Sequence, residues 1–180
     1  RRIPVHASLT LDFARQYQLY DSLEIRPDSI WISGLKEIID TIAFVNTEKK
    51  AIRNLATNYT VVLGLQTPKT NPAVTLSSDS ITVTLNVEKF TEADIEVPVG
   101  LYAGGKEVSY RTFPDKVKLT CRIAMRDYKR LDQSLFYVAV DYETAAKSGN
   151  NRVNVEVKRK PRFARIVRIE PEKVEFLILK

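Results

Sequence analysis

The sequence contains few of the residues on which protein chemistry most often depends: one His, one Cys, one Met and one Trp among 180 residues. A single Cys cannot form an internal disulfide, and one Cys with one His cannot supply the ligands of a Cys/His zinc site. A single His also removes most designs in which an imidazole acts as general base or activates a nucleophile. We therefore predict that the chain is not an enzyme and holds no metal ion or cofactor.

Long hydrophobic runs are absent as well, since no stretch approaches the ~18 uninterrupted apolar residues that would span a bilayer. With 44% apolar and 28% charged residues, the composition is that of a soluble globular chain. Residue 1 is Arg and not Met, which predicts a processed piece of a longer protein whose signal or anchor precedes Arg1. The length fits one large domain or two small ones.

What the sequence does contain is the periodicity of β-strands. Apolar and polar side chains alternate at residues 81–87, 117–123 and 153–157, as is typical of half-buried strands. Residues 59–65 and 136–140 are more continuously apolar and predict buried strands. Helical spacing occurs once in each half, clearly at 35–42, where it predicts two to three turns, and more weakly at 128–135. The chain is therefore predicted to be mainly β, with one short helix or helical turn in each half.

One turn motif recurs four times: a Pro or Ser, an acidic residue and a polar residue lead into a strand. The copies begin at Pro27, Ser78, Pro114 and Pro171. Ile3-Pro4-Val5 opens the first half of the chain and Val97-Pro98-Val99 opens the second. We interpret the pattern as two homologous modules, 1–90 and 91–180, each built of two halves around a pseudo-two-fold axis. The alternative is chance recurrence of common strand-entry chemistry.

These motifs resemble those of YbbR-domain proteins of the Bacteroidetes type. In the first half, the resemblance rests on the Pro4 opening, on residues 20–34 and on the segment 38–45 behind them. In the second half, it rests on the Pro98 opening and on three further segments, 113–117, 137–141 and 169–175. The chain departs from the family pattern at Leu35 and Ser78, where the family usually has Pro.

The resemblance implies a small twisted β-domain in each half, similar to the β-domain of one ribosomal-protein family. YbbR repeats usually follow an N-terminal transmembrane helix, on the outer face of the cytoplasmic membrane. A four-repeat relative in Firmicutes binds and regulates a membrane-bound diadenylate cyclase, which makes cyclic di-AMP. We therefore expect a non-catalytic, extracytoplasmic (periplasmic) module of a membrane-anchored protein, with a membrane protein, such as a diadenylate cyclase, as its partner.

Individual residues add little chemistry. His6 lies in the opening strand without partners and is interpreted as an ordinary strand residue, and Cys121 as a small buried hydrophobic one. Trp31 points away from its neighbours Ile30 and Ile32, so it either covers the opposite face of the sheet or marks a contact surface. Gly104 and Gly105 predict a hairpin-type turn.

The acidic residues are likewise given structural roles. Asp28, Asp115 and Glu172 follow the prolines of the recurring motif, where a role in the turn suffices. Glu92 and Asp94 follow Thr91 and suggest a helix N-cap or a turn.

The positive charge is concentrated in one segment of the second half. Residues 1–90 hold 10 basic and 9 acidic residues, whereas residues 91–180 hold 18 and 13. Six of these basic residues lie within residues 158–168 and form our candidate interaction surface: Lys158, Arg159, Lys160, Arg162, Arg165 and Arg168. The segment could grip phosphates, which makes a nucleic-acid-binding β-module the alternative function. A solvated loop joining two strands is the simpler interpretation, so no nucleic-acid partner is favoured. An enzyme of unknown class would require a deep pocket lined by converging acids.

Overall fold

The computed structural model describes residues 1–68, 73–149 and 151–179. The protein is mainly β, as predicted, and the chain divides into two compact units, Arg1–Lys89 (unit 1) and Phe90–Lys180 (unit 2). The recurring motif predicts a boundary one residue later, after residue 90. Each unit has its own hydrophobic core.

Unit 1 consists of short strands and one helical turn. In chain order its elements are β1 Arg2–His6, β2 Leu9–Phe13, β3 Tyr17–Leu19, β4 Glu24–Arg26, β5 Ser29–Ser33, α1 Lys36–Ile39, β6 Val45–Asn46, β7 Lys50–Leu55, β8 Tyr59–Gly64, β9 Thr75–Leu76 and β10 Ser80–Leu85. One sheet has the order β6-β1-β5-β9 and a second the order β4-β10-β8, while β2 and β7 form a parallel pair.

The core of unit 1 follows the alternation of its strands. Ile3 and Val5 of β1 point inward and pack with Ile30 and Ile32 of β5, and all four are buried. Burying one such side chain contributes about 1.5–3 kcal/mol relative to leaving it exposed. The helix at 35–42 is shorter than predicted. Only α1 is helical, and Leu35 before it is exposed, whereas Ile42 beyond it is buried in the core without being helical.

Unit 2 is built in a related way. Strand β11, Val87–Tyr102, begins beside β3 and continues into unit 2. The further elements are β12 Tyr110–Phe113, β13 Lys116–Ala124, β14 Tyr137–Asp141, α2 Tyr142–Ser148, β15 Arg152–Asn154, β16 Glu156–Arg159, β17 Arg165–Glu170 and β18 Lys173–Ile178, with 3-10 segments at Met125–Arg130 and Gln133–Leu135. One sheet has the order β16-β14-β11-β13-β17 and the other the order β12-β18-β15.

The larger sheet of unit 2 is curled, because one short connection joins its two edge strands. In a flat sheet, β16 and β17 would lie four strand spacings apart, about 19 Å. The chain from Arg159 to Arg165 reaches roughly 21 Å only when fully extended. It contains a turn in which the Ala164 amide donates to the Pro161 carbonyl (3.2 Å). The two edges must therefore be closer together than in a flat sheet.

The recurring turn motif forms the same hydrogen bond in all four copies. The carbonyl of the acidic residue accepts a backbone N–H from a strand that lies beside it: Val5 to Asp28 (2.9 Å), Leu65 to Asp79 (2.8 Å), Val99 to Asp115 (2.8 Å) and Val155 to Glu172 (2.9 Å). The strand pairing beside each bond also keeps one register, with the opposed residues Ile3/Ile30, Leu63/Ile81, Val97/Val117 and Val153/Val174. All eight opposed residues are buried.

Several local expectations were wrong. The segment 153–157 is not one strand, because pairing passes from β18 to β14 at Val155 while the alternation continues. The helical turn predicted from the spacing at 128–135 is present as 3-10 turns, but the unit also contains an α-helix that was not predicted, α2. Gly104 and Gly105 do form a turn with positive φ (60° and 87°), but the strands that flank it do not pair with each other, so it is not a hairpin.

Two acidic residues are also placed differently from the expectation. Glu92 and Asp94 form neither a cap nor a turn, because both lie within β11, opposite Arg122 and Thr120 of β13.

Candidate interaction surface

The six basic residues of the candidate surface lie on three different elements. Lys158 and Arg159 end β16, whereas Arg165 and Arg168 lie in β17 at the opposite edge of the same sheet. The loop between these strands holds the other two, Lys160 and Arg162. The interpretation of the segment as a solvated loop between two strands is therefore right for Lys160 and Arg162 and wrong for the other four residues.

Besides Arg159, which is described below, three of the six basic side chains are held by bonds within the protein. Lys158 Nζ donates to Glu156 (2.6 Å), lies 4.8 Å from the centre of the Tyr102 ring, and has a raised pKa chiefly because of the bond to Glu156. Arg168 Nε pairs with Glu170 (2.7 Å). Lys160 Nζ donates to the Ala164 carbonyl (3.0 Å). Lys158 and Arg168, which are paired with carboxylates, therefore contribute less free charge to the surface than the sequence suggests, whereas Lys160 keeps its charge.

The outer face of β11, β13 and β17 is a network of ion pairs. Arg122 pairs with Glu92 (3.5 Å), and Lys118 pairs with Glu170 (3.2 Å). Asp94 accepts a hydrogen bond from the Thr120 hydroxyl (2.7 Å). Within the part of the chain that the structure describes, neither Arg162 nor Arg165 has a side-chain partner. The exposed ion pairs of Arg122 and Lys118 contribute up to about 1 kcal/mol each. The outer face of these three strands is therefore solvated and balanced in charge.

Arg159 differs from the other five because it borders a groove. Its Nη2 donates to the Ser134 carbonyl (3.2 Å), and it lies opposite Tyr137 in the pairing of β14 with β16. The groove has a volume of about 510 Å³ and is lined by residues of β11, β12, β14 and the 3-10 turn. Its apolar part comes from Val97, Pro98, Val99, Tyr110, Phe136 and Tyr137, and its polar part from Asp132, Gln133, Ser134 and Arg159. We call it the Arg159 groove.

The polar rim of the Arg159 groove is held in place by two bonds to one turn. The Asp132 carboxylate accepts the Ser134 amide N–H (2.8 Å), a bond that lowers the pKa of Asp132 and keeps it ionised. Arg159 holds the carbonyl of the same Ser134. Asp132 is the one carboxylate among the lining residues, so the groove lacks the converging acids that we required of an enzyme.

The floor of the groove depends on a close contact between β14 and β11. The Tyr137 ring lies against Gly100, and the Tyr137 hydroxyl donates to the Leu101 carbonyl (3.2 Å). Unit 1 has a counterpart, because β1 pairs with β6 in the same parallel register as β11 with β14. There Phe44 stacks on His6, with ring centres 4.3 Å apart. His6 is thus a structural strand residue.

The two remaining residues that the sequence analysis weighed have clear positions. Cys121 is fully buried, as predicted, and its burial raises the pKa of the thiol. Trp31 points away from Ile30 and Ile32 and is 61% exposed, which favours a contact surface. The equivalent residues in the other three copies of the motif are polar: Thr82, Lys118 and Glu175.

Neither a metal site nor a membrane span is found in the described parts of the molecule. Within residues 1–68, 73–149 and 151–179, no group of three or more His, Cys, Asp or Glu side chains could hold a metal ion. Nor does this part of the chain contain a helix that is long and apolar enough to cross a membrane.

Sequence reasoning did not anticipate the Arg159 groove. Only Arg159 itself was a candidate, and its selection rested on local charge. Ser134 and Gly100 lie 25 and 59 positions away from it in the sequence, and no local pattern links them.

Comparison with known proteins gives one structural similarity. No protein-family model matches the chain, and no curated protein does. Among solved structures, the chain is similar to a YbbR-like protein from Streptococcus pneumoniae TIGR4, with a TM-score of 0.35 and 12% sequence identity. The similarity covers 99% of this chain and 95% of that one.

Proposed function

We propose that the chain consists of two tandem YbbR-like modules of the Bacteroidetes type, 1–90 and 91–180, and acts as a non-catalytic interaction module. In this proposal it belongs to a membrane-anchored protein and faces the extracytoplasmic side of the cytoplasmic membrane. Its partner is a membrane protein, for which a diadenylate cyclase is the leading candidate.

The observation that carries the proposal is the hydrogen bond that recurs at Asp28, Asp79, Asp115 and Glu172. One bond of this kind is ordinary turn chemistry, but four in the same strand register support an internally duplicated module. The sequence motifs that resemble YbbR domains include three of the four turns. In this proposal the chain acts through its surfaces, for which the exposed Trp31 and the Arg159 groove are the candidates.

The test is to identify what the intact parent protein touches in its own cells. The tagged protein is fractionated, treated with protease from outside the cytoplasmic membrane, and cross-linked before purification. We expect it in the membrane fraction, accessible to the protease, and cross-linked to a membrane protein. If the protein were soluble in the cytoplasm, the proposed location would be wrong.

Two further outcomes separate the partner from the location. Recovery of a diadenylate cyclase, together with a change in cellular cyclic di-AMP on deletion of the gene, would support the regulatory role. Recovery of cell-wall or envelope proteins alone would contradict the diadenylate cyclase as partner. The proposed role as an interaction module would still hold.

A further inference from the structure

We propose that the Arg159 groove and the adjoining edge of β16 bind an extended, acidic segment of a partner protein. In this segment, apolar side chains alternate with carboxylates. The proposal rests on the interaction role proposed above and adds to it a site and the chemistry of the partner.

The groove has the size and the lining of a binding cleft. A volume of about 510 Å³ falls within the roughly 300–1,000 Å³ that is typical of binding clefts. Pro98, Tyr110 and Tyr137 supply apolar surface at a place that remains open to solvent. An apolar side chain of a partner can therefore be buried here.

The rim of the groove carries a positioned positive charge, that of Arg159. Arg159 uses Nη2 to hold the Ser134 carbonyl, which fixes the guanidinium at the rim and leaves its other N–H groups available. The carboxylate of Asp132 is already bonded to the Ser134 amide. A carboxylate that enters the groove would thus find a positioned guanidinium, and this pairing is both strong and geometrically specific.

Strand β16 has an open edge. In the described residues, β16 pairs with β14 on one side only, so its other edge presents free backbone groups. An added strand forms main-chain hydrogen bonds along such an edge, while alternate side chains reach the pockets beside it. The edge and the groove are linked by Arg159, which is the last residue of β16 and also lines the groove.

The charge along this edge also selects among possible occupants. Lys158 is paired with Glu156, whereas Arg159 at the end of β16 and Lys160 beside it keep their positive charge. The same charges favour a partner strand with carboxylates.

The test uses the whole chain and a defined probe. The probe is an acetylated and amidated octapeptide of alternating Val and Glu, titrated while the backbone amide resonances of the protein are recorded by NMR. We expect shifts at the β16 amides, at Gly100, at Tyr110 and at Ser134. We also expect no binding of the octapeptide in which Lys replaces each Glu.

Two variants with the same change of charge make the test specific. Arg159→Glu should weaken binding at least tenfold, whereas Arg165→Glu, at the far edge of the same sheet, should weaken it less than twofold. Arg159→Gln is the second variant, should Arg159→Glu perturb the fold, and it should also weaken binding more than Arg165→Glu does. Equal losses at both positions would indicate unspecific charge attraction and would overturn the proposal. So would shifts confined to other surfaces, or no binding at millimolar peptide.

Failure here is distinguishable from failure of the proposed function. If the cross-linking experiment recovers a membrane partner and Arg159→Glu leaves that cross-link unchanged, the interaction role is supported. The assignment of the Arg159 groove as the binding site is then wrong.

Discussion

The ring of Tyr137 lies directly on Gly100, so closely that a Cβ atom built at position 100 would stand 3.0 Å from Cε2 of the ring. In unit 1 the equivalent pair is Phe44 on His6, where the two rings stack. At equivalent positions of the two units, an aromatic ring thus packs either on a second ring, that of His6, or on the backbone of a glycine, Gly100. In unit 2 the second arrangement forms the floor of the Arg159 groove.

The contact predicts the cost of adding one methyl group. We expect Gly100→Ala to lower the free energy of unfolding of unit 2 by about 1–2 kcal/mol, because the ring or the strand must shift. The matched control is Gly64→Ala, since Gly64 also lies in a strand but its Cβ would meet only the Glu48 side chain, at 3.7 Å. There the free energy should be unchanged or raised by up to about 1 kcal/mol, because alanine restricts the unfolded chain. Urea unfolding, followed at amide groups of each unit, measures the change in free energy that each substitution causes. Equal changes for Gly100→Ala and Gly64→Ala would contradict the prediction.

The recurring turn bond predicts a pattern of hydrogen exchange. The amides of Val5, Leu65, Val99 and Val155 donate to the carbonyls of the four acidic residues. Each donor lies next to a buried strand pair, so all four should exchange slowly compared with amides of exposed turns, such as that of Gly105. Exchange followed by NMR tests this directly. Fast exchange at one of the four would show that its copy of the motif lacks the bond.

The buried thiol of Cys121 predicts both reactivity and pH dependence. Burial raises its pKa in the folded state, so we expect slow reaction with a disulfide reagent near pH 7 and fast reaction in urea. Because the folded-state pKa is raised, the thiol's contribution to stability is complete below the unfolded pKa of about 8.5. It is lost as the pH rises from there through the folded value. The comparison with Cys121→Ala isolates this effect, since the loss above that pH should be smaller in the variant.

Sequence patterns predicted what depends on near neighbours. The period of two identified strands such as β10 and β13, because it reflects which face of a strand is buried. It could not show that pairing changes at Val155, since the alternation of 153–157 continues across a change of partner strand. Glu92 and Asp94 were misplaced for the same reason, because their pairing with β13 depends on residues far away in the sequence.

Helix α2 differs from these cases, because the residues that mark its two ends are visible in the local sequence. The Asp141 side chain accepts the Thr144 amide as an N-cap (3.0 Å), and Gly149 ends the helix with φ at 60°. Both are recognised helix boundaries in sequence. The Arg159 groove, in contrast, unites distant segments and has no such local signature.

Trp31 predicts a spectroscopic result, since it is the one Trp of the chain. At 61% exposure, its fluorescence should resemble that of free tryptophan and be readily quenched by iodide. Trp31→Thr should change the free energy of unfolding by less than about 0.5 kcal/mol, because surface substitutions away from special features rarely do more. Thr is the residue at the equivalent position 82. A blue-shifted, protected emission would instead mean that the ring is covered in solution.

The basic segment predicts a limited dependence of nucleic-acid binding on salt. Of its six cations, Lys158 and Arg168 are paired with acidic residues, which leaves four to contact phosphates. Binding to duplex DNA should therefore be weak, and log K against log salt should have a slope no steeper than about −3.6, whereas six free cations would give about −5.4. Replacing Arg159, Arg162 and Arg165 together with Gln should flatten the slope by about 2.7. Fluorescence anisotropy with a short duplex measures these slopes. A slope near the six-cation value would show that DNA breaks the internal ion pairs and would revive the nucleic-acid alternative.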